Sequence, residues 1–122
     1  MILLTVDHVL AIHEDQIERF GGMSGINDIG LIESAVNAVV NRMFYEECQD
    51  PLSLAGTYLF RVVSNHGFID GNKRAGMATA LIFLRLNGYS TSHPEFEAIT
   101  MRVASSDITE EQVIAQIQKL YR

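Results

Sequence analysis

The sequence predicts an all-α fold, a compact bundle of six helices in a single domain spanning residues 1–122. Three observations support this prediction. Apolar residues recur at intervals of three and four along nearly the whole chain, no alternation typical of a strand extends beyond a few residues, and glycines or capping residues separate the periodic segments. With 48% hydrophobic and 20% charged residues, the chain can bury a substantial core.

The first three helices are placed by their capping signals. Thr5 is a candidate N-cap for the first helix, which the glycine pair at 21–22 would end. A second helix follows Asp28, and a third opens at Asp50-Pro51, because proline suits the first turn of a helix. His13 lies on the apolar face of the first helix and is predicted to be a hydrogen-bonded histidine of the core or its rim.

The fourth helix is predicted to be central and buried. It begins near Gly71 and ends at Asn87-Gly88, and residues 75–84 within it carry no charge. Residues 92–95, Ser-His-Pro-Glu, resemble a capping box for a fifth helix, and residues 109–112, Thr-Glu-Glu-Gln, resemble one for a sixth.

Composition and charge exclude several classes of function. The net charge is −6 and no basic cluster exists beyond Lys73-Arg74, which argues against direct binding of nucleic acid. No apolar run is long enough to span a membrane, and the N-terminus lacks a signal peptide. The one cysteine, Cys48, allows no intramolecular disulfide, which favours a reducing cytoplasm.

Residues 66–74 are the most informative stretch of the chain, reading His-Gly-Phe-Ile-Asp-Gly-Asn-Lys-Arg. Lys73 and Arg74 fall in the first turn of the predicted fourth helix, where N–H groups are unpaired and the helix end is partially positive. Two cations are unfavourable there unless an anion joins them. A bound phosphate is the simplest explanation.

The other residues of this stretch suit phosphoryl or nucleotidyl transfer. Gly71 has no side chain, so a ligand can approach the backbone closely, and Asn72 adds an amide donor. Asp70 is a candidate Mg²⁺ ligand, since that ion commonly takes one or two carboxylates plus substrate phosphates. His66 is a candidate base for deprotonating an attacking hydroxyl, since histidine titrates near neutral pH.

Each of these residues also has a purely structural interpretation. Asp70 could be the N-cap of the fourth helix, His66 a hydrogen-bonded structural histidine, and Asn72 the closure of a turn. Phe68 is expected to anchor the loop on the core, and a lone Lys73-Arg74 pair could be solvated surface. Their coincidence within nine residues, at the head of the most apolar helix, favours a functional site.

The stretch resembles the motif of the Fic/Doc family, His-x-Phe-x-Asp/Glu-Gly/Ala-Asn-Gly/Lys-Arg, and its lysine form resembles the death-on-curing (Doc) branch. Residues 12–28, Tyr45-Glu46-Glu47 and residues 81–88 also look Doc-like. The resemblance implies an all-α Fic fold of about six helices, with residues 1–122 forming one Fic/Doc-type domain.

The resemblance also implies a function. Fic proteins transfer AMP from ATP to hydroxyls of target proteins, whereas Doc-type toxins phosphorylate a Thr of elongation factor Tu, halt translation, and are neutralised by a Phd-type antitoxin. Carried over, His66 would be the catalytic base and Asp70 the Mg²⁺ ligand. Gly71, Asn72 and the two cations would hold the phosphates of ATP, with Asp70 and Arg74 also counted as catalytic.

Two departures from the AMP-transferring pattern favour a kinase. Lys73 stands where that pattern has glycine and crowds the anion cradle, and Met77 stands where it has a second arginine. The leading hypothesis is therefore a Doc-like protein serine/threonine kinase toxin. The alternatives are an AMP transferase, or a non-catalytic module that binds phosphate or a partner.

Two further expectations concern regulation and target binding. Many Fic proteins carry an inhibitory Ser/Thr-x-x-x-Glu-Gly/Asn helix, and this chain has no match, so restraint would come from a partner. The glycine-rich connector between Gly21 and Gly30 is the candidate for docking the target segment, with a plain connector as the alternative.

Overall fold

The computed structural model describes residues 1–122 and confirms the predicted all-α fold of six helices. The helices are α1 Val6–Phe20, α2 Ile29–Phe44, α3 Pro51–Asn65, α4 Asn72–Leu86, α5 Glu95–Ala104 and α6 Glu110–Leu120. The one β-type contact is an isolated antiparallel bridge between Ile26 and Phe68. None of the helices combines the length and the apolar character needed to span a membrane.

The centre of the fold is a pair of helices, α3 and α4. Helix α3 packs against α2, α4, α5 and α6, while α4 packs against α1, α3 and α5. Helix α4, predicted to be central, therefore shares that place with α3. The two approach closely at Gly76, where a Cβ atom would collide with the Val63 side chain and lie 3.3 Å from the Leu59 carbonyl oxygen.

The buried side chains form two groups on either side of this pair. The larger group joins α3 and α4 to α5 and α6 and includes Tyr58, Phe83 and Phe96. The smaller group lies beneath the loop between α3 and α4 and comprises Val9, Ile32, Ala35, Val36, Val62, Phe68 and Ala75. Burial of Phe68 confirms that it anchors this loop on the core, as the sequence predicted.

The helix caps follow the sequence at four of the six helices. The predicted caps of α1, α2, α3 and α6 each accept a backbone N–H through their side chain, and these are Thr5, Asp28, Asp50 and Thr109. The capping box predicted at 92–95 is wrong. Pro94 is the N-cap of α5, and the first turn is closed by the carbonyl oxygens of His93 and Pro94 rather than by the side chain of Ser92.

Candidate active site

The loop between α3 and α4 is held in a tight, defined conformation. Helix α3 ends at His66, whose left-handed backbone (φ 53°, ψ 45°) turns the chain away from the helix axis. Gly71, the N-cap of α4, is also left-handed (φ 77°). Between them, the amide of Asn72 bonds both backbone groups of Phe68: Oδ1 accepts from its N–H and Nδ2 donates to its carbonyl, each at 3.0 Å.

Asn72 therefore closes the turn through both ends of its side chain, which is the structural role that the sequence left open for it. Its predicted contact with phosphate stays a prediction, for which the backbone N–H of Asn72 and the second hydrogen of Nδ2 remain available.

His66 presents one ring nitrogen to the surroundings. Its exposed ring places Nδ1 3.0 Å from the Ser64 carbonyl oxygen. Because a carbonyl oxygen only accepts, Nδ1 carries the hydrogen, and Nε2 of the neutral ring keeps its lone pair. His66 is thus both hydrogen-bonded, as a structural histidine would be, and able to accept a proton at Nε2.

The carboxylate of Asp70 is held by two backbone N–H groups. Oδ2 accepts from Met23 at 3.0 Å and Oδ1 accepts from Gly71 at 2.8 Å. The Met23 and Gly71 N–H groups, together with the charge of Arg74, hold the pKa of this exposed carboxyl below its ordinary value. Asp70 is therefore ionised at neutral pH, and each oxygen keeps a lone pair for another ligand.

The alternative that Asp70 caps α4 is wrong. Gly71 occupies the N-cap position, and no side chain bonds the first N–H groups of the helix. The carboxylate points instead to the segment after α1, because the Met23 N–H lies within hydrogen-bond distance there.

The two cations of the motif have different surroundings. Arg74 donates from Nη2 to the Gly21 carbonyl at 2.7 Å and from Nη1 to the Gln16 carbonyl at 3.5 Å, at the partially negative C-terminal end of α1. The exposed Lys73 has only the Met101 sulfur at 4.0 Å and no carboxylate partner. The prediction that both cations need an anion is thus corrected: α1 already offsets the charge of Arg74.

The start of α4 offers unpaired donors beside Lys73. The first backbone hydrogen bond of this helix runs from the Ala75 N–H to the Gly71 carbonyl, so the N–H groups of Asn72 and Lys73 have no acceptor within the protein. Unpaired N–H groups at a helix N-terminus bind anions, and an ammonium group beside them strengthens that preference.

All six predicted site residues line one open cleft of about 550 Å³. The lining comprises His66, Ile69, Asp70, Gly71, Asn72, Lys73, Arg74, Met101, Ala104 and Ser105. The last three come from the end of α5. Sequence reasoning missed them because they carry no chemical signature and lie far from the motif along the chain.

The donor set of the cleft matches a nucleotide-borne Mg²⁺ better than a resident metal ion. No group of three or more His, Cys, Asp or Glu side chains comes together anywhere in the structure. Asp70 is the one carboxylate lining the cleft. Mg²⁺ keeps most of its water and commonly takes one or two carboxylates with substrate phosphates, so Asp70 would hold it together with a triphosphate.

The loop predicted to dock a target lies directly beside the motif. The Ile69 N–H donates to the Gly25 carbonyl at 3.2 Å, and the Asn27 and Asp28 N–H groups donate to the Gly67 carbonyl at 2.8 and 3.0 Å. The 21–30 loop thus pairs with the loop that carries His66 and Asp70. Its role in docking stays a prediction.

A larger groove of about 940 Å³ lies elsewhere, between α2, α3 and α6. It contains none of the motif residues. Three of its charged groups form an ion-pair network: Glu110 accepts from Arg61 Nε at 2.7 Å and lies 3.7 Å from Arg42 Nη1. No histidine lines this groove.

The chain is similar to one known family and to two named proteins. A model of the Fic/DOC family matches residues 3–84. The chain is 34% identical over 119 residues to "Protein kinase doc" of Escherichia phage P1, which covers 97% of this chain and 94% of that protein. It is 34% identical over 70 residues to "Toxin Doc" of Mycolicibacterium smegmatis, which covers 57% of this chain and 54% of that protein.

Proposed function

This chain belongs to the Fic/DOC family, and from that premise we propose that it is the toxin of a toxin–antitoxin system and acts as a Doc-like protein kinase. It transfers the γ-phosphoryl group of ATP to a Ser or Thr hydroxyl of a target protein. The observation that carries the proposal is that an available histidine nitrogen, an ionised carboxylate and an unpaired cation at a helix N-terminus line one cleft.

The residues have separate roles in this reaction. His66 accepts the proton of the target hydroxyl at Nε2 as the hydroxyl oxygen forms its bond to the γ-phosphorus. The bond between that phosphorus and the β–γ bridging oxygen breaks, and ADP leaves with the electron pair. The N–H groups of Asn72 and Lys73, the ammonium group of Lys73 and the remaining N–H groups of Arg74 hold the phosphates.

Mg²⁺, held by Asp70, would supply charge neutralisation to the transferring phosphates. The Met23 and Gly71 N–H groups keep the Asp70 carboxylate ionised and fix its direction, as binding of Mg²⁺ would require.

Lys73 and Met77 favour phosphoryl over AMP transfer. The Lys73 side chain occupies the mouth of the anion site at the start of α4, where a glycine would leave the space open. Met77, about one turn further along α4, lines a small side groove of about 190 Å³ and brings no charge to it. With crowding at one position and no second arginine at the other, the γ-phosphate is the group best placed for attack.

The target, the antitoxin and the setting follow from the Doc branch. We propose elongation factor Tu as the target, a Phd-type antitoxin as the inhibitor, one domain over residues 1–122, and the cytoplasm as the compartment. The 21–30 loop would dock the target segment, since the exposed apolar side chains of Met23, Ile26 and Ile69 lie on the paired loops beside the cleft.

Intact-mass spectrometry of purified elongation factor Tu, incubated with this protein, ATP and Mg²⁺, tests the proposal. The expected result is a gain of one phosphate, about 80 Da, that disappears with His66→Ala. A gain of one AMP, about 329 Da, would instead show an AMP transferase. No gain on any protein of a cell extract, with toxicity unchanged in His66→Ala, would show a non-catalytic binding module.

A further inference from the structure

We propose that His13 is a positioning residue for this reaction, which fixes the Asp70 backbone and the Phe68 ring from α1 and thereby sets the direction of the Asp70 carboxylate. The inference rests on the proposed kinase function. His13 lies outside the motif, 57 residues before Asp70 in the chain, and it is not among the residues that line the cleft.

The first contact is a hydrogen bond to the motif backbone. His13 is 2% exposed, and its Nε2 lies 2.7 Å from the Asp70 carbonyl oxygen. A carbonyl oxygen only accepts, so Nε2 carries the hydrogen and donates it. Because the donor is buried, water does not readily replace this bond.

The second contact is a stacked ring pair. The His13 imidazole lies parallel to the Phe68 ring, with centroids 3.7 Å apart and an interplanar angle of 5°. Phe68 itself is 3% exposed and has both backbone groups bonded to Asn72. One side chain of α1 therefore holds two nearby residues of the motif, one through the ring face and the other through a ring nitrogen.

Further contacts between α1, the segment after it and the motif loop hold the same carboxylate in place. A Cβ atom on Gly71 would lie 3.1 Å from Ile17 Cδ1 and 3.5 Å from His13 Nε2, so the turn after Asp70 rests directly on α1. The segment that follows α1 then supplies the Met23 N–H to Asp70 Oδ2. His13 holds the backbone of Asp70 while Met23 holds its side chain.

Packing alone does not explain a histidine at this position. The other buried residues of α1, Val9 and Ile17, are aliphatic, and an aliphatic residue would fill the space without burying a polar ring. Burying the imidazole costs free energy unless it is hydrogen-bonded, and its one bond goes to Asp70. We therefore attribute the histidine at position 13 to its contacts with the motif.

Loss of the His13 donor should lower kcat more than it raises the KM for ATP. The phosphate-binding groups at the start of α4 make no hydrogen bond to His13, so nucleotide binding should stay largely intact. A displaced carboxylate, in contrast, misaligns the transferring group, and a misplacement of about 1 Å can cost roughly 100-fold in rate.

Two variants separate the contacts, and one serves as control. His13→Phe keeps a stacking ring and removes the donor, whereas His13→Gln keeps an N–H donor and removes the ring. Val9→Ala, one turn earlier on the same buried face, weakens the core group that also contains Phe68 but removes no hydrogen bond or ring contact to the motif. With purified elongation factor Tu and ATP, kcat in His13→Phe should fall about 10- to 100-fold at a nearly constant KM.

His13→Gln should recover part of kcat, and Val9→Ala should keep wild-type kcat despite a lower melting temperature. A wild-type kcat in His13→Phe would overturn the proposal. So would an equal loss of kcat in Val9→Ala at a matched fall in melting temperature. If His13→Phe does not fold, a folded His13→Gln with kcat no better than that of His13→Ala contradicts the donor role.

A second readout does not depend on the proposed activity. The backbone N–H groups of Met23 and Gly71 donate to the Asp70 carboxylate, so their ¹H–¹⁵N NMR signals report its direction. These signals should move in His13→Phe and stay in place in Val9→Ala; unmoved signals would overturn the inference. If the wild type modifies no target yet these signals move, the proposed function fails and the positioning role stands.

Discussion

The cleft at the start of α4 and the groove between α2, α3 and α6 hold comparable polar groups but use them differently. In the groove, Glu110 bonds Arg61 and Thr57, and Arg42 bonds Thr57 as well. In the cleft, Lys73 has no carboxylate partner, and the first N–H groups of α4 have no acceptor. The groove is the larger of the two, at about 940 Å³ against 550 Å³.

The difference shows that size does not identify the site. Charged groups that pair with each other within the protein contribute to stability, because removing one partner of a pair leaves the other poorly solvated. The cleft, by contrast, leaves an ammonium group and backbone N–H groups available to an anionic ligand. Substitutions should therefore sort by region: those in the cleft should change activity at constant stability, and those in the groove should change stability at constant activity.

Asp70→Asn should give the largest effect. Asparagine keeps the shape of the side chain but removes the negative charge that would hold Mg²⁺, so transfer should fall by about 100-fold or more. Stability should change little, because the carboxylate is exposed. Steady-state kinetics measure the transfer rate, and thermal unfolding measures the stability. A loss of stability in proportion to the loss of activity would show that the cleft does not differ from the groove in this respect.

Glu110→Ala should give the opposite pattern. The Glu110 side chain is 15% exposed, and its loss leaves Arg61 without a carboxylate partner and Arg42 with only Glu46, whose Oε1 lies 3.8 Å from Arg42 Nε. Since Arg61 is 45% exposed, the free energy of unfolding should fall by only about 1–3 kcal/mol. Urea denaturation measures this change. Phosphoryl-transfer rates measured well below the melting temperature should match those of the wild type. A loss of kcat without a loss of stability would show that the groove takes part in the reaction.

Gly22→Ala should give an intermediate effect confined to the cleft. A Cβ atom there would lie 2.8 Å from Asp70 Oδ2 and 2.9 Å from Arg74 Nη2, and the backbone is left-handed (φ 116°). The carboxylate must shift, so kcat should fall about tenfold. Gly88→Ala is the control, since Gly88 is also left-handed but a Cβ atom there would have no neighbour within 4 Å. An equal loss of kcat in Gly88→Ala would show that backbone strain, and not contact with Asp70, lowers kcat.

The pH dependence of stability should show the smallest effect. The Met23 and Gly71 N–H groups lower the pKa of Asp70 below its ordinary value of 3.8. A carboxyl with a lowered pKa stabilises the folded state above the ordinary pKa and loses that contribution as pH falls through the folded value. The melting-temperature gap between wild type and Asp70→Asn should therefore narrow as pH falls below about 4, and a gap that widens would contradict this assignment.

The fold was largely predictable because its signals are local. Apolar periodicity with caps at Thr5, Asp28, Asp50 and Thr109 located four helix starts. The start of α5 was mispredicted because a capping box is only a residue pattern, and the local turn is closed by backbone bonds instead. The motif could be found for the same reason, since its residues are contiguous.

The contacts that tune the motif could not be predicted, because they join residues distant in sequence. Nothing in the pattern around His13 shows that its Nε2 meets the Asp70 carbonyl. Similarly, the periodicity does not show that Arg74 reaches the end of α1, or that Met23 rather than α4 receives the Asp70 carboxylate. Tertiary packing decides these partners.

Calorimetric titration of Mg-ATP into Lys73→Met and Arg61→Met compares the two regions in a single binding measurement. Both variants remove a partly exposed cation, one from the unmatched cleft and the other from the matched groove. Lys73→Met should weaken binding about tenfold or more, equivalent to about 1.4 kcal/mol, whereas Arg61→Met should leave Kd within about twofold of the wild type. Equal affinities in Lys73→Met and wild type, or a larger loss in Arg61→Met, would contradict the account.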